Sequence, residues 1–141
     1  MYTIRFQNTG NDTAFRVVLR DQLSIRLKPE SFELVGSSHP CKVKIENGKD
    51  VSWTFENINL PDSSRNEAAS HGYVSFRIRP VSGLNVLDTI RNFAAIYFDY
   101  NEPVITNTEV TVIRDVPLHH LSSVACHLLI AATRAQFVAR S

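Results

Sequence analysis

Residues 41–57 read CKVKIENGKDVSWTFEN, and the fold turns on them. Cys41, Val43 and Ile45 alternate with Lys42, Lys44 and Glu46, so one side of the run is apolar and the other charged. Successive side chains of an extended chain point to opposite faces, and a half-buried strand therefore carries a period of two. Asn47-Gly48 interrupts the alternation, and Val51, Trp53 and Phe55 then resume it. The two-residue turns that match strand twist need positive φ at both central residues, which Asn and Gly tolerate. The stretch predicts a β-hairpin with a buried tryptophan. Cys41 reads as a small buried hydrophobe at a strand start.

The same period extends outward in both directions, to about Ile113. In YTIRFQ, Tyr2, Ile4 and Phe6 share one face, and NTGND follows with turn chemistry. AFRVVLRD places Phe15, Val17 and Leu19 inward, with Arg16 and Arg20 outward. Leu23, Ile25 and Leu27 continue weakly before Pro29, and SFELVG is a further short strand. HGYVSFRIRP puts Val74, Phe76 and Ile78 inward until Pro80 removes a ladder donor. TIRNFAAIYFDY alternates little and reads as a central strand covered on both faces, and NEPVITNTEVTVI reads as a turn and a final strand. About seven or eight strands with regular turns predict an antiparallel β-sandwich.

The run LHHLSSVACHLLIAATRAQFVARS breaks this pattern. Leu118, Leu121, Ala125, Leu128 and Leu129 approximate helical spacing, so residues 114–141 are read as a short amphipathic helix or a disordered tail beyond a domain of residues 1–113.

With 141 residues the chain holds one domain with a real core. A formal net charge of +1 gives no broad field for nucleic acid or an anionic membrane. The two cysteines, Cys41 and Cys126, match no disulfide framework and no zinc-site spacing. No apolar run reaches the roughly 18 residues of a membrane helix. MYTIRFQNTG has no basic region, apolar run or cleavage site, so no signal peptide is visible.

YTIRFQNTGNDTAFRVVLRDQL, FELVGSSHP, FENINLPDS, ASHGYVSFRIRP and AAIYFDYNEPVITNT, in this order, resemble the conserved repeat-type immunoglobulin-like domains of Bacteroidetes surface and secreted proteins. The resemblance covers roughly residues 2–110. It implies an immunoglobulin-like sandwich acting as a spacer in a long exported protein, often ahead of a sorting domain read by the type IX secretion system. It also implies an extracellular or cell-surface setting, with neighbouring domains of the parent protein as partners and no catalytic residues or cofactor. The family pattern has a strand before YTIRFQNTG, and an unfilled first-strand position would leave an open sheet edge. The run after Thr108 departs from the family, and a truncated gene or a frameshift near residues 110–118 is the expected cause. A sorting-domain pattern in another frame of the nucleotide sequence would bear that out.

Several residue groups invite chemistry. Residues 60–80 gather Asp62, Ser63, Ser64, Ser70 and His71, but a Ser–His–Asp site needs a base within reach of its nucleophile and an oxyanion hole. Ser70 and His71 are neighbours at a strand entrance, where side chains diverge, and no GxSxG elbow is present. The expected roles are turn hydrogen bonds for Asp62 and the serines, a strand start for His71, and local packing for His39. The chain is therefore read as a non-enzyme with no catalytic, cofactor or metal residues.

The weaker candidates are each weighed against an ordinary structural role. His119, His120 and His127 are spaced poorly for a helical chelate. Asp99, Asn101 and Glu102, and separately Asn8, Asn11 and Asp12, offer oxygen ligands for calcium, although Asx residues usually stabilise turns. Asp12-Thr13-Ala14 and Asp88-Thr89-Ile90 fit a short O-glycosylation pattern of Bacteroidetes exported proteins. The alternative function is recognition of a glycan or a surface protein through loops at one end, with Tyr73, Tyr97 and Tyr100 as contacts.

Overall fold

The computed structural model describes residues 1–114 and 135–140. Eleven strands occur among them: β1 Tyr2–Gln7, β2 Val17–Gln22, β3 Leu27–Ser37, β4 Lys42–Glu46, β5 Asp50–Phe55, β6 His71–Pro80, β7 Thr89–Asn92, β8 Ala94–Phe98, β9 Val104–Ile105, β10 Glu109–Val112 and β11 Ala135–Arg140. They form a five-stranded sheet in the order β4-β5-β2-β8-β9, a four-stranded sheet in the order β11-β1-β6-β3, and the pair β10-β7. The chain is all-β, a sandwich of two principal sheets.

The hairpin of residues 41–57 forms as its sequence predicts. Asn47 and Gly48 take φ of 51° and 68°, and β4 pairs with β5 through Val43↔Trp53. The alternation buries Val51, Trp53 and Phe55. From the opposing sheet, Tyr2, Ile4, Phe6, Val74 and Phe76 are buried against them. Aromatic rings bridge the layers: Phe6 meets Phe55 edge-on at 5.4 Å, and Trp53 meets Phe76 at 5.0 Å between centroids. Such pairs add specific geometry to the burial of apolar area.

One edge departs from regular pairing. Lys28 pairs with Arg79 and Glu33 with Arg77, so Pro29 to Phe32 on β3 stand against Ile78 alone on β6. Ser31 Oγ donates to the Lys28 carbonyl at 2.7 Å and accepts from the Arg79 amide at 2.8 Å, closing the bulge. The detour turns Phe32 onto Phe76 and Trp53, at 5.4 and 6.0 Å.

Several expectations differ from the structure. Ile25 is 90 % exposed in the turn between β2 and β3, and Cys41 is half-buried just before β4. Phe15 is 60 % exposed, because β2 begins only at Val17 and Phe15 belongs to the preceding loop. TIRNFAAIYFDY is not one strand: β7 pairs with β10, β8 pairs with β2 and β9, and exposed Phe93 marks the change of sheet. Residues 135–140 of the tail form β11, parallel to β1, rather than a helix or a disordered end. β11 also lies along the β1 edge that an unfilled first-strand position would leave open. Residues 115–134, including most of the proposed helix, fall outside the described residues.

Candidate functional site

The β5–β6 connection is built around Asp62, which is fully buried. Its Oδ1 accepts from the Ser64 hydroxyl and from the amides of Ser64 and Arg65, both at 3.1 Å. Arg65 Nε stands 3.4 Å from Oδ2. The Ser64 hydroxyl, the Arg65 and Ser64 amides and the Arg65 charge hold the carboxyl below the ordinary carboxylate range, against the opposing effect of burial. Asp62 is thus the ionised cap of a turn.

Its supposed partners are committed elsewhere. The buried Ser70 hydroxyl donates to the Glu67 carbonyl at 2.6 Å and accepts from Gln7 Nε2 at 3.1 Å. His71, on the opposite face, bonds Glu67 Oε1 at 2.8 Å and is exposed. Among the described residues no hydrogen bond joins His71 to a serine or to Asp62. His39 Nδ1 meets Ser38 Oγ at 2.8 Å, and Ser38 Oγ accepts from the Tyr73 amide at 2.9 Å, which ties this histidine to the start of β6.

The two oxygen-rich loops that the sequence separates do meet. Asn8, Asn11, Asp12, Phe15, Asp99 and Asn101 line a cleft of about 210 Å³ at one end of the sandwich; Glu102 does not. Three of the side-chain oxygens are already used. Asn8 Oδ1 accepts from Gly10, and its amide donates to the Asp12 and Leu60 carbonyls. Asp12 Oδ1 accepts from Thr13, and Asp99 Oδ1 accepts from the amides of Phe15 and Arg16 at 2.9 and 2.8 Å. No group of three or more His, Cys, Asp or Glu placed to hold a metal ion occurs among the described residues. His119, His120, His127 and Cys126 lie outside them. Cys41 is half-buried against the core.

The three tyrosines separate cleanly. Tyr73 lies beneath the Arg5 guanidinium at 5.8 Å and Tyr97 beneath that of Arg20 at 5.3 Å. Both are sheet-face stacks, worth about 0.5–1 kcal/mol where exposed. Tyr100, between Asp99 and Asn101, is wholly exposed and does not line the cleft, whereas exposed Phe15 does. Thr13 and Thr89 are each half-buried; Thr13 lines the cleft and Thr89 opens β7.

Sequence reading missed a polar pair in the core, Asp21 and Asn92. Asp21 is buried and receives Asn92 Nδ2 at 2.6 Å, while its Oδ1 and Asn92 Oδ1 have no hydrogen-bond partner. The signal lay in the period: Asp21 follows Val17 and Leu19 at the same parity.

A family model described as a domain of unknown function, DUF7619, matches residues 1–112. No curated protein and no solved structure matches the chain.

Proposed function

We propose that the chain, which belongs to the DUF7619 family across residues 1–112, is a non-catalytic structural module, a spacer within an exported or surface-held multidomain protein. The likeness of its motifs to immunoglobulin-like conserved repeats of Bacteroidetes supports the setting. The separate commitments of Asp62, Ser70 and His71 to a turn, a buried bond and a surface pair carry the non-catalytic reading. A sandwich cross-braced by Phe6, Phe55, Trp53 and Phe76 suits a part that holds others at a fixed distance.

One observation favours recognition of a glycan instead: the cleft is lined by exposed Phe15 together with Asn11 and Asn101, and exposed Tyr100 lies between two lining residues, Asp99 and Asn101, without lining the cleft itself. Aromatic faces and amides together suit a sugar ring. A single experiment separates the two readings. The purified protein is presented to a glycan array, alongside the variant Phe15→Ala with Tyr100→Ala. The spacer reading expects no saturable binding by either protein. Saturable binding lost in the variant overturns it in favour of recognition.

A further inference from the structure

Asp21 lies near the end of β2, the middle strand of the five-stranded sheet, facing the core. Its register partners are Val51 on β5 and Ala94 on β8, so neither neighbour offers it a hydrogen-bonding side chain. Asn92 precedes Ala94 by two residues and therefore points to the same side, diagonal to Asp21. It sits on β7, the strand that has left the main sheet to pair with β10. The bond from Asn92 Nδ2 to Asp21 Oδ2 thus fastens the two-stranded β7–β10 unit to the sandwich.

As drawn with an ionised carboxylate, this fastening leaves two buried oxygens, Asp21 Oδ1 and Asn92 Oδ1, without partners. Each orphaned acceptor is costly, and an unpaired buried charge more so. No salt bridge reaches Asp21 among the described residues. On its own strand, Arg20 turns to the outer face over Tyr97. On β5, half-buried Asp50 bonds Gln22 and Asn47. On β7, Arg91 is exposed; with Lys49 and Arg26 it lines a surface cleft, where Arg26 already faces Asp88 at 3.6 Å. The remaining titratable neighbour is the Tyr2 phenol from β1, bonded to Thr111 of β10; Glu109 of β10 acts on that same phenol. Burial first, then the charges of Asp21 and Glu109, make Tyr2 harder to ionise against the opposing Thr111 bond, so the phenol brings no positive charge to Asp21.

We propose that the folded chain holds Asp21 as a neutral carboxylic acid paired with the Asn92 amide, a proton-dependent latch between β2 and the β7–β10 unit. One proton from solvent adds to the carboxylate, turning an acceptor-only group into a donor beside the free Asn92 oxygen, and no other bond changes. Burial drives the shift, with the Asn92 hydrogen bond opposing it, and places the carboxyl at about 7 rather than the usual 3.8. The sign follows from linkage. A raised folded-state value means the folded chain keeps its proton while the unfolded chain loses it, so this contribution is greatest below about 4 and declines until about 7. Ionisation weakens the latch, and β7–β10 is the unit released.

The test compares the wild type with Asp21→Asn, which is neutral at every pH, in urea unfolding from pH 4.5 to 8.5. The variant is expected to gain on the wild type by roughly two to three orders of magnitude in the folding equilibrium constant as pH rises. A difference that does not change with pH overturns the latch. A second measurement needs no variant. Carbon-detected NMR of the wild type is expected to place the Asp21 carboxyl midpoint near 7. The Asn92 side-chain amide is expected to follow the same midpoint, and protection of β7–β10 amides, corrected for intrinsic exchange, to fall across it. A carboxyl midpoint near 4, or an Asn92 amide indifferent to the titration, overturns the proposal.

Discussion

The Phe6 ring fills the space that a side chain on Gly72 would need. The two are register partners on β1 and β6, and a Cβ at position 72 would collide with the ring. Phe6 is itself fixed by Phe55 and Phe98 from the facing sheet, at 5.4 and 6.3 Å, so it has nowhere to retreat. Gly72→Ala is expected to destabilise the fold by about 1–3 kcal/mol through overpacking. Adding Phe6→Leu should recover part of that loss, and urea unfolding of the four proteins in the cycle would measure the coupling.

Asp99 holds the loop before β2. Its Oδ1 takes the amides of Phe15 and Arg16, and its own amide donates to the Arg16 carbonyl at 2.8 Å. Asp99→Ala should cost about 1 kcal/mol, since the freed amides are solvent-exposed and regain water. Hydrogen exchange at Phe15 and Arg16 should accelerate, with the β4–β5 hairpin unchanged.

Asp62 predicts the acid limb of stability. Bonds from Ser64 and Arg65 lower its folded value, so it stabilises above the unfolded carboxylate range and loses that contribution as pH falls through the folded value. Asp62→Asn should flatten the acid-unfolding profile below about pH 4. A profile as steep as that of the wild type would count against this assignment.

Ser70 and His71 separate a structural reading from a catalytic one. Ser70→Ala removes a buried bond to Gln7 and should cost about 1–2 kcal/mol. His71→Ala touches an exposed pair with Glu67 and should stay within about 0.5 kcal/mol. Chemical denaturation checks both.

Sequence periodicity located most of the core because burial on one sheet face follows parity. Tyr2, Ile4, Phe6, Val51, Trp53, Phe55, Val74 and Phe76 are all buried where alternation puts them. Parity failed where the strand register begins late, as at Phe15, or where the chain changes sheets, as at Phe93. The bulge at Pro29–Phe32 was hidden because its closing bonds run through Ser31 to Lys28 and Arg79, a relation no local pattern carries. The loop cleft was half legible. Each Asx group was visible alone, but their meeting depends on β2 lying beside β8.

The detour at Pro29–Phe32 has a consequence for crowding. β3 is the last strand of its sheet on that side, and its hydrogen-bonding groups fall out of even spacing where the extra residues sit. On the other sheet one of the two outermost strands, β4, carries Lys42 and Lys44. In a row of such modules strung together, the β3 and β4 flanks would resist zipping onto one another. Along those two flanks each unit would then fold beside its copies without being captured by them.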